Sequence, residues 1–474
     1  MKLKTLLKDV EVLSQYDGDR EVSKISVLSN EADESSLFIA VKGEKSNGES
    51  LISEAKQKGA VTLGESGADI TVRDAKEARA LIWRNFYKRP DEKLSVFGVT
   101  GTNGKTTVTY LTRHIFEYAG KKTGVIGTVA NVIGTESAAA IQTTPAPNEL
   151  YRLFSKMVSN KLSRVCMEVS SHSLEQKRIH GVTFTASAFT NLTGDHLDYH
   201  GNMESYLEAK LKIIERSKSI AINADDAYAK AFSERAACNS IPVLCYGINS
   251  KTADLTAKSL NLTKEKSEFT LCYNGEKIRT YISVPGKFSV YNALCAVALS
   301  MLGGISLADA AEALKTSGGI KGRMERVKAK NGATAVIDFA HTPDGLKNVL
   351  ITLNGIKENG RLITVFGCGG DRDKSKRSVM GEIAAKYSDL VIITSDNPRS
   401  EDPHAIIRDI TVGSSRYKTP QLIIEDRRAA IKTAMQNAKS GDIVLLAGKG
   451  HENYQILKDR TVSFDEYEIL KAYI

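Results

Sequence analysis

Short apolar blocks recur along this chain, and their spacing changes character near residue 94. Before that point the runs are brief and β-like, Ser36-Leu-Phe-Ile-Ala-Val41 being the clearest, and a helical stretch over 75–87 follows. The polar break Lys88-Arg-Pro-Asp-Glu-Lys93 then marks a boundary. From 94 onward strand-like blocks at 94–99, 164–169, 186–191 and 219–223 alternate with helical stretches, which predicts α/β architecture with a mostly parallel sheet. Residues 255–284 alternate as an antiparallel edge would, and 290–302 read as a helix whose middle, Ala293-Leu-Cys-Ala-Val-Ala-Leu-Ser300, is apolar all round and so predicted to be buried. The glycine-rich Gly318-Gly-Ile-Lys-Gly-Arg323 is a second boundary. Beyond it, strands at 361–366, 389–394, 421–424 and 443–447 alternate with helices at 375–387 and from the N-cap Asp426 to 438. The expected organisation is three α/β domains: a small one over 1–92, a central phosphate-loop domain with a parallel sheet over 93–324, and a Rossmann-like one over 325–474.

The length of 474 residues suits that count at roughly 150 residues per domain. With 42% apolar and 26% charged residues the composition is globular, not disordered. No apolar run nears the ~20 residues of a membrane span, and Met1-Lys-Leu-Lys-Thr-Leu-Leu-Lys8 lacks a signal-peptide core, so the expectation is a cytoplasmic protein without membrane insertion. A net charge of +9 is dispersed rather than clustered, and aromatics are only 7%, which argues against nucleic acid and for anionic small molecules. The six cysteines form no Cys-x-x-Cys pair and read as reduced thiols.

The strongest chemical signal is Ser95-Val-Phe-Gly-Val-Thr-Gly-Thr-Asn-Gly-Lys-Thr-Thr107. A strand enters a glycine-rich turn and a helix begins near Lys105, an arrangement that offers backbone N–H groups to phosphates. Gly101, Thr102, Asn103 and Gly104 form the cradle, Lys105 supplies a point charge, Thr106 a magnesium ligand, and Thr107 continues the turn. The generic pattern would put glycine at Val99; here the glycines sit at 98 and 101. Glu168 and His196 each follow an apolar strand, a usual place for catalytic groups in α/β sheets. His196 and His200 have a zinc-like spacing, but Mg²⁺ accounts better for Glu168 and Thr106 beside a phosphate loop.

This loop variant resembles that of the Mur ligases, ATP-dependent amide-forming enzymes. Met167-Glu-Val-Ser-Ser-His172, Asn191-Leu-Thr-Gly-Asp-His-Leu-Asp-Tyr-His200, Gly322-Arg-Met-Glu325 and Asp338-Phe-Ala-His-Thr-Pro-Asp344 extend the likeness over nearly the whole chain. Gln142-Thr-Thr-Pro145, Asp396-Asn-Pro-Arg399 and Gly448-Lys-Gly-His-Glu452 resemble the branch that acts on UDP-N-acetylmuramoyl-L-alanyl-D-glutamate. The resemblance implies ATP as co-substrate, with Thr106, Glu168 and His196 holding Mg²⁺ and with CO₂ taken up by Lys210 as a carbamate. It implies further nucleotide contacts from Asn292, Arg323, Asp338 and His341, with Ser289 and Phe339 standing where relatives have Asn and Tyr. Thr143, Thr144, Ser170, Gln176 and Arg178 would meet the sugar-peptide; Ser29, Glu44, Lys45 and Ser46 would meet its uridine end, although Leu28-Ser-Asn30 replaces the usual Asp-Ser-Arg.

The same resemblance gives the amino-acid site to Arg372, Asp396, Asn397, Pro398, Arg399, Gly448 and Glu452, with meso-diaminopimelate as the amine. Its distal carboxylate matches the guanidinium of Arg399 in bidentate geometry. A monomer is expected. The alternatives are an L-lysine-adding ligase of the same branch, a folate polyglutamate ligase, and a catalytically silent cell-wall scaffold.

Overall fold

The computed structural model describes residues 1–43 and 47–474. They form a mixed α/β protein in two compact units. The first comprises Met1–Thr100, Gly120–Ser187 and Ala209–Ser219, the second Gly101–Ala119, Ala188–Glu208 and Ile220–Ile474.

In the first unit, strands Lys24–Ser26, Ser36–Ile39, Val61–Gly64 and Ile70–Thr71 pair in that order, all parallel. Leu37, Ile39 and Leu63 meet Leu3 and Leu6 and the inner face of helix Ala75–Phe86 through Ala78 and Ile82. Asp74 caps that helix, its carboxylate accepting from the N–H groups of Lys76 and Glu77 at 2.9 Å each. The same unit carries strands Ser95–Thr100, Arg164–Glu168 and Thr123–Ile126, paired in parallel. Two antiparallel strands, Ala130–Ile133 and Glu136–Ala139, extend them.

In the second unit, Ile220–Asn223, Val243–Gly247 and Leu255–Leu262 are parallel. Ser267–Tyr273 and Glu276–Ile282 add as the expected antiparallel edge. Helix Lys287–Leu302 is buried through its middle, as its all-round apolarity predicts, and packs on helix Lys105–Tyr118. A six-stranded sheet follows in the order Glu325–Lys328, Thr334–Asp338, Ile443–Ala447, Leu362–Phe366, Leu390–Ile393, Gln421–Ile423, parallel except for its first strand. Its faces alternate with the strand period of two. Val336 and Leu445 meet helices Pro343–Ile356, Ser375–Tyr387 and Pro403–Ser414; Ile337 and Val444 meet Arg427–Asn437 and Glu466–Leu470. Both faces are covered, the doubly wound arrangement. Asp426 caps Arg427–Asn437 as predicted, accepting from Ala429 N–H at 2.6 Å. Among the described residues no helix is long and apolar enough to cross a membrane.

Candidate nucleotide and substrate sites

The phosphate loop lies between the end of strand Ser95–Thr100 and helix Lys105–Tyr118, which starts at Lys105 as predicted. Gly104 has φ +87, and a Cβ there would overlap the Asn292 side-chain amide; Gly101 leaves no room for a Cβ against Thr190. The loop is braced by the segment that follows the strand at 186–189. Thr102 N–H donates to Asn191 O (2.8 Å), Asn103 N–H to Asn191 Oδ1 (2.9 Å), Thr190 Oγ1 to Asn103 O (2.7 Å), and Thr102 Oγ1 to Thr193 O (3.1 Å). Tyr206 Oη stands 3.2 Å from Thr102 Oγ1. Thr190, Asn191, Thr193 and Tyr206 were not singled out from the sequence. Asn191 and Thr193 lie in the Asn191-to-His200 block, which was read for its histidines, while Thr190 and Tyr206 lie outside it. Lys105 Nζ donates to the carbonyls of Gly101 and Thr102 at 2.9 Å each, curling over the loop it would leave for a phosphate.

Thr106, on the helix's first turn and buried, accepts a hydrogen bond from Arg323 Nη2 at 2.9 Å. The Arg323 guanidinium lies 4.5 Å from the Phe339 ring centroid, so the ring that replaces the usual Tyr serves as a cation–π floor. Asp338 ends its strand buried and accepts from Met324 N–H and Ala340 N–H at 2.8 Å each. Burial pushes its carboxyl up, against the opposing charge of Arg323. His341 Nδ1 lies 2.8 Å from Phe339 O, which puts the proton on Nδ1. Burial, then the Lys376 charge, lowers its pKa and keeps it neutral. Asn103 Nδ2 donates to Asp344 (3.1 Å) and its Oδ1 accepts from Thr342 (3.2 Å), so the 338–344 block meets the phosphate loop directly. His196 sits at φ +55 before the short helix Leu197–His200, with Nε2 3.3 Å from Asp195 Oδ2. Burial raises Asp195, but His196 and then Lys376 (3.5 Å) outweigh it and hold the carboxyl well below the usual carboxylate range.

In the first unit, Glu168 is the last residue of its strand and fully buried, with its carboxylate accepting from Thr128 N–H (2.7 Å) and Oγ1 (3.0 Å). Thr128 Oγ1, its proton given to Glu168, accepts from Thr143 Oγ1 at 3.1 Å. Thr144 Oγ1 donates to Glu168 O (2.9 Å) and accepts from Ser170 N–H (3.0 Å), while Ser170 caps helix Ser171–Glu175. Arg178 binds Gln176 Oε1 through two nitrogens (2.9 and 2.6 Å), then Gln142 Oε1 (2.9 Å) and Thr144 O (3.0 Å). The fold thus draws Thr143, Thr144, Glu168, Ser170, Gln176 and Arg178 into one network. Ser29 is buried and donates to Glu54 Oε2 at 2.8 Å; Glu44, Lys45 and Ser46 lie outside the described residues. Lys210, on helix Met203–Leu211, is 1% exposed, whereas Lys212 pairs at the surface with Glu175. Of the two, only Lys210 is withdrawn from water.

In the second unit, Asp396, Asn397, Pro398 and Arg399 follow strand Leu390–Ile393, and Gly448 to Glu452 follow Ile443–Ala447, with Leu362–Phe366 paired between the two strands. Gly448 N–H donates to Asp338 O at 3.0 Å. Asn397 Nδ2 donates to Glu452 Oε2 (2.9 Å). Arg399 adopts φ +53 and donates to Gly370 O (2.8 Å). Its pKa is lowered by burial and by the like charge of Arg372, whose own guanidinium turns to Asp371 O (2.9 Å). Arg399 is half-buried and Arg372 exposed, and two guanidiniums near each other are a receptor for an anion. Lys449, fully buried between Asn397 and Glu452, went unremarked in the sequence.

A phosphate loop carried on one α/β sheet and joined to a second, doubly wound sheet defines a nucleotide-dependent enzyme of the ligase kind. Residues 99–300 match the Mur ligase middle domain and 322–450 the Mur ligase, glutamate ligase domain. The chain belongs to the Mur ligase family. It is 44% identical to UDP-N-acetylmuramoyl-L-alanyl-D-glutamate--2,6-diaminopimelate ligase 1 of Clostridium acetobutylicum, over 100% of this chain and 99% of the relative. It is 41% identical to the Clostridium botulinum ligase of the same name, again over 100% and 99%. A solved structure of a UDP-N-acetylmuramoyl-L-alanyl-D-glutamate--2,6-diaminopimelate ligase superposes with a TM-score of 0.70 at 30% identity, covering 100% of this chain and 98% of that one.

Proposed function

We infer that this chain is an ATP-dependent ligase that adds meso-diaminopimelate to UDP-N-acetylmuramoyl-L-alanyl-D-glutamate in peptidoglycan precursor synthesis. The observation that carries the reading is the pairing, in one unit, of a braced phosphate loop with Arg399, Asp396, Asn397 and Glu452 gathered where the second sheet ends. In the reaction the γ-phosphoryl of ATP passes to the D-glutamyl side-chain carboxylate. The amine of diaminopimelate attacks the resulting acyl phosphate, and phosphate leaves as the amide forms. Phosphoryl transfer of this kind needs positioning and charge neutralisation more than covalent help.

The loop N–H groups and Lys105 supply that charge, and Arg323, which donates to Thr106, would turn to the γ-phosphate. Asp338 and His341 would face the ribose and Asn292 the adenine. Thr143, Thr144, Ser170, Gln176 and Arg178 would hold the sugar-peptide, and Ser29 the uridine end. These roles rest on the resemblance. So do the Mg²⁺-ligand roles of Thr106, Glu168 and His196 and the carbamate on Lys210. The hydroxyl of Thr106 and the carboxylate of Glu168 are oxygen donors of the kind a hard cation takes. Mg²⁺, when bound, neutralises charge on the transferring phosphoryl group. Carbamylation needs a neutral amine, and withdrawing a lysine from water is the ordinary way to supply one. The division at 92 and 324, a cytoplasmic location and a monomeric state belong to the same proposal.

ADP release measured with the UDP-dipeptide substrate and each amino acid in turn tests it. Strong stimulation by diaminopimelate is expected. Stimulation by lysine alone would transfer the chain to the lysine-adding branch, and stimulation by neither would end the ligase reading.

A further inference from the structure

Lys449 is the one residue of Gly448-Lys-Gly-His-Glu452 whose side chain disappears into the protein, with 0% of it exposed. Its ammonium donates to Asn397 Oδ1 (2.9 Å) and Glu452 Oε2 (2.9 Å) and lies 3.8 Å from Asp396 Oδ1. Asn397 closes the cluster, giving its amide N–H to Glu452 Oε2 (2.9 Å) and taking Ile456 N–H on Oδ1 (2.9 Å). Three of the residues assigned to the amino-acid site are therefore oriented by one buried cation. An ammonium is retained in such a place only when its partners are fixed around it. Asp396 and Glu452 are offset by Lys449 and Arg399, and Arg372 adds a third positive charge beside Arg399. The neighbouring Arg427–Glu466 pair, at 2.8 Å, balances itself.

We propose that Lys449 is a positioning residue that sets amino-acid specificity, by holding Asn397 and Glu452 in place and by cancelling one of the site's two negative charges. The proposal rests on the diaminopimelate reading and adds to it. Diaminopimelate carries one carboxylate more than lysine, so lysine is the more cationic of the two by one charge. With Lys449 in place the excess positive charge of lysine meets a site whose two carboxylates are fully offset. Without it the site is one charge more negative and welcomes the amino acid it now excludes, because specificity is a difference of affinities and the disfavoured ligand is rejected by charge.

The test compares kcat/KM for diaminopimelate and for lysine, by ADP release, in the wild type, Lys449→Gln, Lys449→Arg and the double variant Lys449→Gln/Glu452→Gln. Lys449→Gln is expected to narrow the diaminopimelate-to-lysine ratio by about tenfold or more, the scale of one desolvated charge contact. Lys449→Arg keeps the charge and keeps the ratio. The double variant removes one charge of each sign, so it too continues to exclude lysine. A purely structural role would depress both amino acids together and leave the ratio where it was, which overturns the proposal, as does a Lys449→Arg enzyme as permissive as Lys449→Gln. Circular dichroism reports whether Lys449→Gln folds. If it does not, the double variant decides alone, and acceptance of lysine by it refutes the charge argument. A wild type that shows no diaminopimelate-dependent ADP release would instead strike the underlying functional reading.

Discussion

Lys210 and Arg399 carry the sharpest tests, because each is asked to do one thing. Lys210 is buried where the neighbouring Lys212 is not, and nothing in the residue pattern distinguishes a buried helix lysine from a surface one. Only the likeness to relatives pointed to it, and its burial adds an independent physical reason. Lys210→Ala is expected to cut kcat by on the order of 10²–10³, the usual cost of removing a group that stabilises transferring charge. Added acetate or formate should restore part of the rate by standing in for the carbamate, while extra bicarbonate should not. Wild-type turnover in Lys210→Ala would remove the carbamate from the mechanism. Arg399→Ala leaves the substrate's distal carboxylate unpaired, at about 2–5 kcal/mol, or roughly 30- to 4000-fold in KM for diaminopimelate. The KM values for ATP and the UDP-substrate should stay put, and lysine, which has no such carboxylate, should be handled as before. Equal losses on all three substrates would mean that Arg399 supports the fold through Gly370 rather than binding the amino acid.

The loop at 101–104 shows what a segment's pattern reveals and what it conceals. Strand, glycines, Lys105 and Thr106 were legible because their order along the chain is itself the device. The brace formed by Thr190, Asn191 and Thr193 was not, since those contacts join residues about ninety positions apart and leave no local periodicity. Strand positions were read to within a residue or two, as with 94–99 against Ser95–Thr100 and 389–394 against Leu390–Ile393, because apolar runs mark burial while the hydrogen-bond ladder sets the ends. Helix Pro147–Ser159 went unread although Leu150, Tyr151, Phe154 and Met157 recur at helical spacing and are all buried. Lys449 was overlooked because a lysine between two glycines looks like a solvated turn. The close packing of the loop yields its own prediction. Gly104→Ala forces a side chain onto a backbone at φ +87 and against Asn292. Strain of about 1–3 kcal/mol should weaken ATP binding roughly 5- to 150-fold, read by calorimetry, with UDP-substrate affinity unchanged. An undiminished ATP affinity would show that the loop has room to relax.

Acid stability tests the charge arrangement of the whole chain. His180 is turned to Arg216, whose Nη2 stands 2.7 Å from its Nδ1. Burial, then that guanidinium, lowers its pKa to about 4, from an ordinary value of about 6.5. Between those two values the unfolded chain binds a proton that the folded chain refuses, so stability is complete above about pH 6.5 and falls as the pH drops toward 4. Glu401 acts lower down. Its hydrogen bonds to Arg377, at 2.8 and 3.0 Å, hold its carboxyl at about 2. Its contribution is present above the ordinary glutamate value of about 4.3 and is lost as the pH falls toward 2. Urea midpoints measured from pH 8 to pH 3 should therefore decline in two stages, with the first beginning near neutrality, well above the range where carboxylates titrate. His180→Gln keeps an acceptor for Arg216 but has nothing to protonate, so it should shrink the first stage to the part that His341, lowered in the same way, contributes, and leave the second. A flat midpoint between pH 6.5 and 4.5 in the wild type would mean that His180 is solvated enough to take its proton in the folded state.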